Sequence, residues 1–484
     1  MPSTTLGKVR LACSATLVSE ENVQKKQVTP KKKHFLDGAK LYIFVRFIDK
    51  IMAIISILII ARLLGPAEVG QAILALTIYA SVNALTQNGL ASYIIKVKVL
   101  RPWHFDLIWT YGWLLRFLFL FVLMNVFASL LIHYSILQEF PQLGLYLHIL
   151  SLSLLLMAFF NVYFFKFIKQ RNFALDVRSG IYARIFKLAA VLVSAVYFKT
   201  GMALIFGQIV YSFVVVFMSY HYCEEQPRIK FDFKKIKRIS RYALSIGVAE
   251  IFISTRVLLD KLVISILFGP AVTGQFHAAS RFTNEIVADL KMLVTKLIFP
   301  IYAPERNFHV IKKDNLEIMI FLIYLATPFY LFISFNAEVI VVTLLGKAWE
   351  EASIFLPLLS VLAIVKIPGM VLSQVIKTTP NTFILSQVSI VQLFVFLLVA
   401  GIFLSINGIS IKYFLFLLIF LELLQLWYFK VVFTLHDIRN ILNFLTKFSY
   451  ILLYCVINLG FNIYAIAGQE SVYFSLAYNA LAVV

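Results

Sequence analysis

The sequence predicts an all-α polytopic membrane protein built from two related halves, and three observations carry that expectation. Of 484 residues, 61% are hydrophobic and only 14% are charged, and one apolar tract follows another with short polar breaks. A helical crossing needs about 20 mostly apolar residues. Tracts such as 51–60 and 414–424 lack the strict apolar–polar alternation of a barrel strand, so helices are expected. Finally, Gly65-Pro66-Ala67-Glu68-Val69-Gly70-Gln71 returns 204 residues later as Gly269-Pro270-Ala271-Val272-Thr273-Gly274-Gln275, each copy between two long apolar stretches. Proline fixes φ and lacks an amide donor while glycine permits a sharp turn, so each copy reads as a tight hairpin outside the membrane. Two such hairpins at equivalent points are the internal symmetry of proteins that rock one helix bundle against another around a central site.

Taken in order, the apolar tracts predict spans at 41–64, 69–95, 108–133, 143–165, 180–198, 203–222, 242–268, 274–302, 316–334, 352–376, 382–404, 409–429 and 446–466, with a short stretch at 470–484. That last stretch is a stub, so the count is thirteen or fourteen. The organisation expected is a basic, disordered cytoplasmic tail at 1–40, an N-terminal helical lobe at 41–222 and a basic linker at 223–241. A C-terminal lobe at 242–430 and additional helices at 431–484 complete it. The tail holds no apolar core long enough for a secretory signal.

A net charge of +20 invites a nucleic-acid partner, but the charges argue against it by their position. Lys and Arg gather in every second loop: Lys25 to Lys33 in the tail, then Lys96, Lys98 and Arg101, then Lys166, Lys169 and Arg171, then Arg228 to Arg238, then Lys312 and Lys313. Intervening loops are nearly bare, with Lys199, Lys347 and Lys412 the main exceptions. This positive-inside pattern places the N-terminus in the cytoplasm and makes membrane lipids, not nucleic acid, the partner of the basic excess.

Enzyme chemistry finds little support. Three cysteines (Cys13, Cys223, Cys455) give no disulfide framework and no metal-ligand spacing. His133, His148 and His221 sit near span ends, away from clustered acids, and no long loop offers a polar substrate site. Phosphate-cradling and dinucleotide motifs are missing, so neither a metal nor an organic cofactor is expected.

Charge inside the spans is the informative chemistry. An ionisable residue at the bilayer centre costs about 2.5–3.5 kcal/mol on insertion scales, so it faces the bundle interior, a partner or a water-filled cavity. The seventh span carries Glu250, Arg256, Asp260 and Lys261; the eighth carries Arg281, Glu285, Asp289, Lys291 and Lys296. At about 100° per residue, Arg281, Glu285, Asp289 and Lys296 share a stripe roughly 80° wide that cannot face lipid. Other spans hold Arg46, Asp49, Lys50, Arg116, Lys366 and Glu422. Helix-to-helix ion pairs or snorkelling are one reading of these groups. A cationic surplus in spans seven and eight favours a cavity that receives an anion, for which arginine offers a planar fork of donors. Asn83, Gln87 and Asn88 on the second span could line the same space or simply bond neighbouring helices. A tight turn near 270–273 would set residues summing to about 541 at equal depth, predicting Asp260–Arg281 and Arg256–Glu285 pairs and leaving Asp289, Lys261 and Lys296 for the lumen.

The run Ala61-Arg62-Leu63-Leu64-Gly65-Pro66-Ala67-Glu68-Val69-Gly70, followed by Asn88-Gly89-Leu90-Ala91-Ser92, resembles the opening signature of the polysaccharide repeat-unit flippases, the Wzx-type members of the MOP exporter superfamily. Asp260-Lys261, Phe268-Gly269-Pro270, Gly274 and Phe299-Pro300 match its second-half signature in order, and Gly346-Lys347-Ala348-Trp349-Glu350 with Leu356-Pro357-Leu358-Leu359 resembles its Gly-x-x-Trp segment. The resemblance covers roughly residues 40–435. It implies a MATE-like architecture of 12–14 helices in two pseudo-symmetric six-helix lobes, in the bacterial inner membrane. It further implies alternating-access transport of a polyprenyl-pyrophosphate-linked oligosaccharide for lipopolysaccharide O-antigen or exopolysaccharide. The polymerase and chain-length machinery would be partners and H+ or Na+ a coupling ion. The first half departs from symmetry, since Ser56 falls opposite Asp260. A multidrug antiporter of the superfamily, or a membrane polymerase or ligase acting on lipid-linked glycan, are the alternatives.

Overall fold

The computed structural model describes residue 52 and residues 55–96, 101–114, 119–134, 139–169, 173–294, 308–376, 383–405 and 411–433. Every regular element among them is helical. The N-terminal helices are α1 (55–63), α2 (Pro66–Lys96), α3 (Pro102–Leu114), α4 (Val122–Tyr134), α5 (Leu143–Ala158), the short α6 (Phe165–Lys169), α7 (Phe173–Phe198) and α8 (Met202–His221). The C-terminal ones are α9 (Phe233–Leu293), α10 (Phe308–Phe335), α11 (Ala337–Leu345), α12 (Leu356–Ile376), α13 (Phe383–Ser405) and α14 (Ile411–Phe433). The tail, the start of the first span and the expected spans at 446–466 and 470–484 lie outside the described residues.

Local chemistry sets several boundaries. Pro66 and Pro102 each open a helix, where the missing amide costs nothing and φ is already helical. Asp232 caps α9 by accepting from Lys235 N at 3.1 Å, so this helix begins at Phe233, inside the stretch read as a linker. Gly269 interrupts α9 at φ 79°, ψ 179°, a conformation open only to glycine. The chain there doubles back: the Ser265 and Thr273 hydroxyls lie 3.0 Å apart, whereas eight residues of straight helix would separate them by about 12 Å. The expected hairpin is therefore present, and α9 has two arms, 233–268 and 270–293. In contrast, the stretch after α10, expected as a loop between the spans 316–334 and 352–376, is folded. α11 ends at Gly346 (φ 100°) and a 3-10 segment, Lys347–Phe355, buries Trp349 to 1% exposure.

Among the described residues, the connections group at two ends of the bundle. At one end, the turn end, Glu68 accepts from Gly201 N at 2.9 Å, Glu139 approaches Gly269, and Arg62 donates to Thr343 O at 3.2 Å. At the other, basic end, the inter-helix stretch 223–232 is pinned to α3. Asp106 Oδ1 accepts from Arg228 N at 3.2 Å and Thr110 Oγ1 accepts from Lys230 N at 3.0 Å. Asn161 Nδ2 donates to Glu225 O at 2.9 Å, and Lys166 pairs with the Glu225 carboxylate. The hydrogen bond from Lys166 is the chief cause holding that carboxyl below its ordinary range.

Among the described residues six stretches are long and apolar enough to cross a membrane, one of them the folded-back 258–291, and 119–133, 143–158 and 387–403 are shorter apolar helices. Large apolar side chains such as Val193, Phe213, Phe321, Phe394 and Phe420 point outward, each more than half exposed. In water that belt would aggregate, but in a bilayer it is the solvated surface. Inside, short polar bridges tie helices together: Ser153 to Tyr79 at 2.9 Å, His148 to Asn125 at 2.8 Å, Tyr330 to the Thr283 carbonyl at 2.8 Å. Such bonds are worth about 0.6 kcal/mol each in membrane helices. His148 is thus occupied in holding α5 to α4.

Candidate binding cavity

A cavity of about 370 Å³ opens between the N-terminal and C-terminal helix groups. Ser56, Ile60 and Ala61 of α1 and Val69 and Ile73 of α2 form one wall, α7 a second and the second arm of α9 a third, with Trp349 as roof at the turn end. Its charge comes from two helices. On α7, Arg184 and Lys187 are spaced i, i+3 and share a face with Val191. On α9, His277, Arg281 and Glu285 recur at i, i+4, i+8 and form one stripe. Lys187 Nζ donates to Gln208 Oε1 at 3.0 Å and stands 5.5 Å from the Tyr211 ring centroid. Arg281 Nε is 3.9 Å from Glu285 Oε1, at the limit of an ion pair, and both side chains are well exposed to the cavity. Among the described residues, Arg184, Lys187, Arg281 and the Glu285 carboxylate are the charged groups that line the cavity.

The other predicted site residues divide sharply. Arg256 does not meet Glu285, and Asp260 does not meet Arg281. Equal depth fixes height, not facing, and the first arm of α9 turns these side chains away from the second arm. Arg256 donates instead to Glu422 on α14 at 3.0 Å and to Gln392 on α13 at 3.1 Å. Gln392 continues the network to Leu421 O at 2.9 Å and Gln425 at 3.0 Å. Asp260 Oδ1 and Arg256 Nε are buried there without a hydrogen-bond partner. Lys261, one residue on, faces the other way and donates to Thr77 Oγ1 of α2 at 2.9 Å, bridging the two helix groups. Asn83, Asp289 and Lys291 stand outside the cavity wall. Arg46, Asp49, Arg116 and Lys296 lie outside the described residues, as do the side chains of Gln87 and Asn88.

Sequence reasoning passed over Arg184, Lys187 and His277. Arg184 and Lys187 fall inside the expected span 180–198, but the charges weighed for the site are those of spans seven and eight. The helix begins at Phe173, which carries both well into the bundle. Among the described residues no three His, Cys, Asp or Glu converge as metal ligands.

The profile of a family described as "Polysaccharide biosynthesis protein" matches residues 59–354, which include both Gly-Pro turns, the Trp349 roof and the cavity-lining residues from Ile60 onward. The chain belongs to that family. No curated protein sequence matches it significantly. Among solved structures it is similar to the lipid II flippase MurJ in an inward closed conformation, with TM-score 0.70 at 12% identity over 92% of this chain and 97% of that one. It is also similar to an inward-facing multidrug resistance MATE family transporter of the MOP superfamily, with TM-score 0.62 at 15% identity over 80% and 96%. At these identities the likeness is one of fold. Family and fold together bear out the resemblance to the Wzx-type flippases and the all-helical membrane architecture expected from sequence.

Proposed function

We propose that this member of the family is a flippase for a polyprenyl-pyrophosphate-linked oligosaccharide, carried across the bacterial inner membrane by alternating access. The observation that supports this most is the composition of the cavity lining: the guanidinium groups of Arg184 and Arg281 and the ammonium of Lys187, drawn from both helix groups, converge on one space. Ionisable groups among membrane helices face a partner or a water-filled cavity, and basic groups converging on one cavity suit a ligand that carries negative charge. A pyrophosphate does, and two arginine forks suit its oxygens. About 370 Å³ lies within the range of small-ligand sites and suits a headgroup with its first sugars. The polyprenyl tail would remain in the bilayer.

The basic end is then cytoplasmic and the turn end faces outward, following the loop charges. The polymerase and chain-length machinery would receive the product outside. An organic-cation antiporter is disfavoured by the same wall, which repels its substrate. Reconstitution into vesicles with a fluorescent lipid-linked glycan, quenched from one face, tests the reading. Protein-dependent movement to the opposite leaflet, reduced by Arg281→Gln, is expected. Movement unchanged by neutralising all three cations refutes it.

A further inference from the structure

The repeated Gly-Pro motif has so far served only to make two turns. In the folded protein the copies are each other's packing partners. A Cβ placed on Gly70 would lie 1.9 Å from Pro270 O and 3.0 Å from Gly274 N. One placed on Gly274 would lie 2.1 Å from Pro66 O and 3.1 Å from Gly70 N. The contact is reciprocal, glycine of each copy against the proline carbonyl of the other, one helical turn into each helix. No residue with a side chain fits at either position without moving the helices apart. Small residues spaced for backbone approach are how membrane helices pack closely, but here the approach joins opposite halves of the chain.

We infer that the crossed Gly-Pro turns are the gate that closes the cavity at the turn end, with the two glycines setting how tightly it shuts. This rests on reading the cavity as a transport path. Three further features fit a gate that must reopen. First, the roof beneath it is attached across the halves by hydrogen bonds to main-chain carbonyls: Trp349 Nε1 donates to Ala61 O at 2.8 Å and Arg62 to Thr343 O at 3.2 Å. Second, the crossing brings two helix N-termini together, positive end to positive end. Glu68 lies in the first turn of α2, and Glu139 Oε2 comes within 3.0 Å of where a Gly269 Cβ would be, so each end has a carboxylate beside it. The second copy carries Val272 where the first has Glu68, and Glu139 is brought to it by another loop. Third, Gly65 opens the first turn, yet a Cβ there meets nothing within 4 Å. The close packing therefore belongs to Gly70 and Gly274, not to the turn as a whole.

Thiol accessibility tests this without any substrate. In a chain with Cys13, Cys223 and Cys455 replaced by serine, Ser56→Cys puts a near-isosteric thiol on the cavity wall below the roof. In sealed vesicles, Lys347→Cys in a separate sample reports which face carries the turns. With native glycines the thiol at position 56 should resist an impermeant thiosulfonate added to that face. Gly70→Val or Gly274→Val should raise its reaction rate at least tenfold, while Gly65→Ala leaves it unchanged. An equally slow reaction in valine variants present at normal level in the membrane overturns the gate, as does the same rise in Gly65→Ala. Should the valine variants be lost from the membrane, Arg62→Ala replaces them, since its exposed side chain holds only the Thr343 carbonyl. A severalfold rise in labelling is then expected, and no change overturns the proposal. A positive result here alongside failed glycan movement in vesicles would remove the substrate reading alone.

Discussion

The two arms of the α9 hairpin carry similar charges and serve opposite ends. On the first arm, Arg256 lies among α13 and α14 with its side chain 17% exposed, against a Glu422 side chain 10% exposed. On the second arm, Arg281 is 39% exposed at a 3.9 Å separation from Glu285, in a cavity that also receives Arg184 and Lys187. One arginine has a buried carboxylate and an amide on its guanidinium; the other stands at the limit of an ion pair and lines the cavity together with Arg184 and Lys187. Charge buried against a partner inside a helical bundle fixes packing, and charge that faces a cavity is within reach of a ligand. Intramembrane arginines are therefore not interchangeable evidence for a binding site.

The largest expected effect would break this contrast if it failed. Arg256→Met leaves Glu422 buried without its partner, and removing one member of a buried pair costs about 3–5 kcal/mol. Folded protein in the membrane should fall steeply. Arg256→Met with Glu422→Met should recover most of it, because an apolar pair of similar volume removes both desolvation costs. Size-exclusion profiles in detergent, scored per membrane protein, read both. A well-folded single variant with lost transport would move Arg256 into the binding site.

Next in size is the second arm. Arg281→Gln, Arg184→Gln and Lys187→Gln should each leave protein level near normal and reduce glycan movement about 10- to 100-fold. That matches the 1.5–3 kcal/mol of one hydrogen bond to a charged group. Loss of folded protein instead would make the cavity cations structural.

Smaller again is the seam. Thr77→Val removes the acceptor from Lys261 and should lower stability by about 1.5 kcal/mol, the lower end for a hydrogen bond to a charged group, measured by thermal unfolding in detergent. The smallest effect belongs to the exposed Lys166–Glu225 pair, whose loss in Glu225→Gln should cost under about 1 kcal/mol. The folded Glu225 carboxyl is held low, chiefly by the Lys166 hydrogen bond, so its contribution is present above the ordinary glutamate range. It is lost as pH falls through the lowered value. The difference between wild type and Glu225→Gln should therefore vanish in acid.

The sequence made the helices and the hairpin at Gly269 legible, because each depends on local chemistry: apolar length, and glycine and proline geometry. It also marked the arms of α9 as chemically loaded. What it could not supply was facing. Arg256 and Arg281 sit on arms of one hairpin, and only packing against α13 and α14 turns the first away from the cavity. Arg184 and Lys187 lay inside the expected span 180–198, but nothing in the sequence shows that α7 and the second arm of α9 face one cavity. Trp349 was visible as part of a motif, but its role as a roof needs the long-range bond to Ala61.

Binding of the headgroup tests the central claim most directly. Purified protein in lipid nanodiscs would be titrated with a polyprenyl-pyrophosphate glycan and with the same glycan on an uncharged polyprenyl ether. The account predicts at least about tenfold tighter binding of the pyrophosphate form, consistent with 1.5–3 kcal/mol from a charge-assisted contact. That preference should shrink with each of Arg184→Gln, Lys187→Gln and Arg281→Gln and persist in the Arg256→Met/Glu422→Met double variant. Equal affinity for the two lipids, or a preference that survives loss of all three cavity cations, would contradict it.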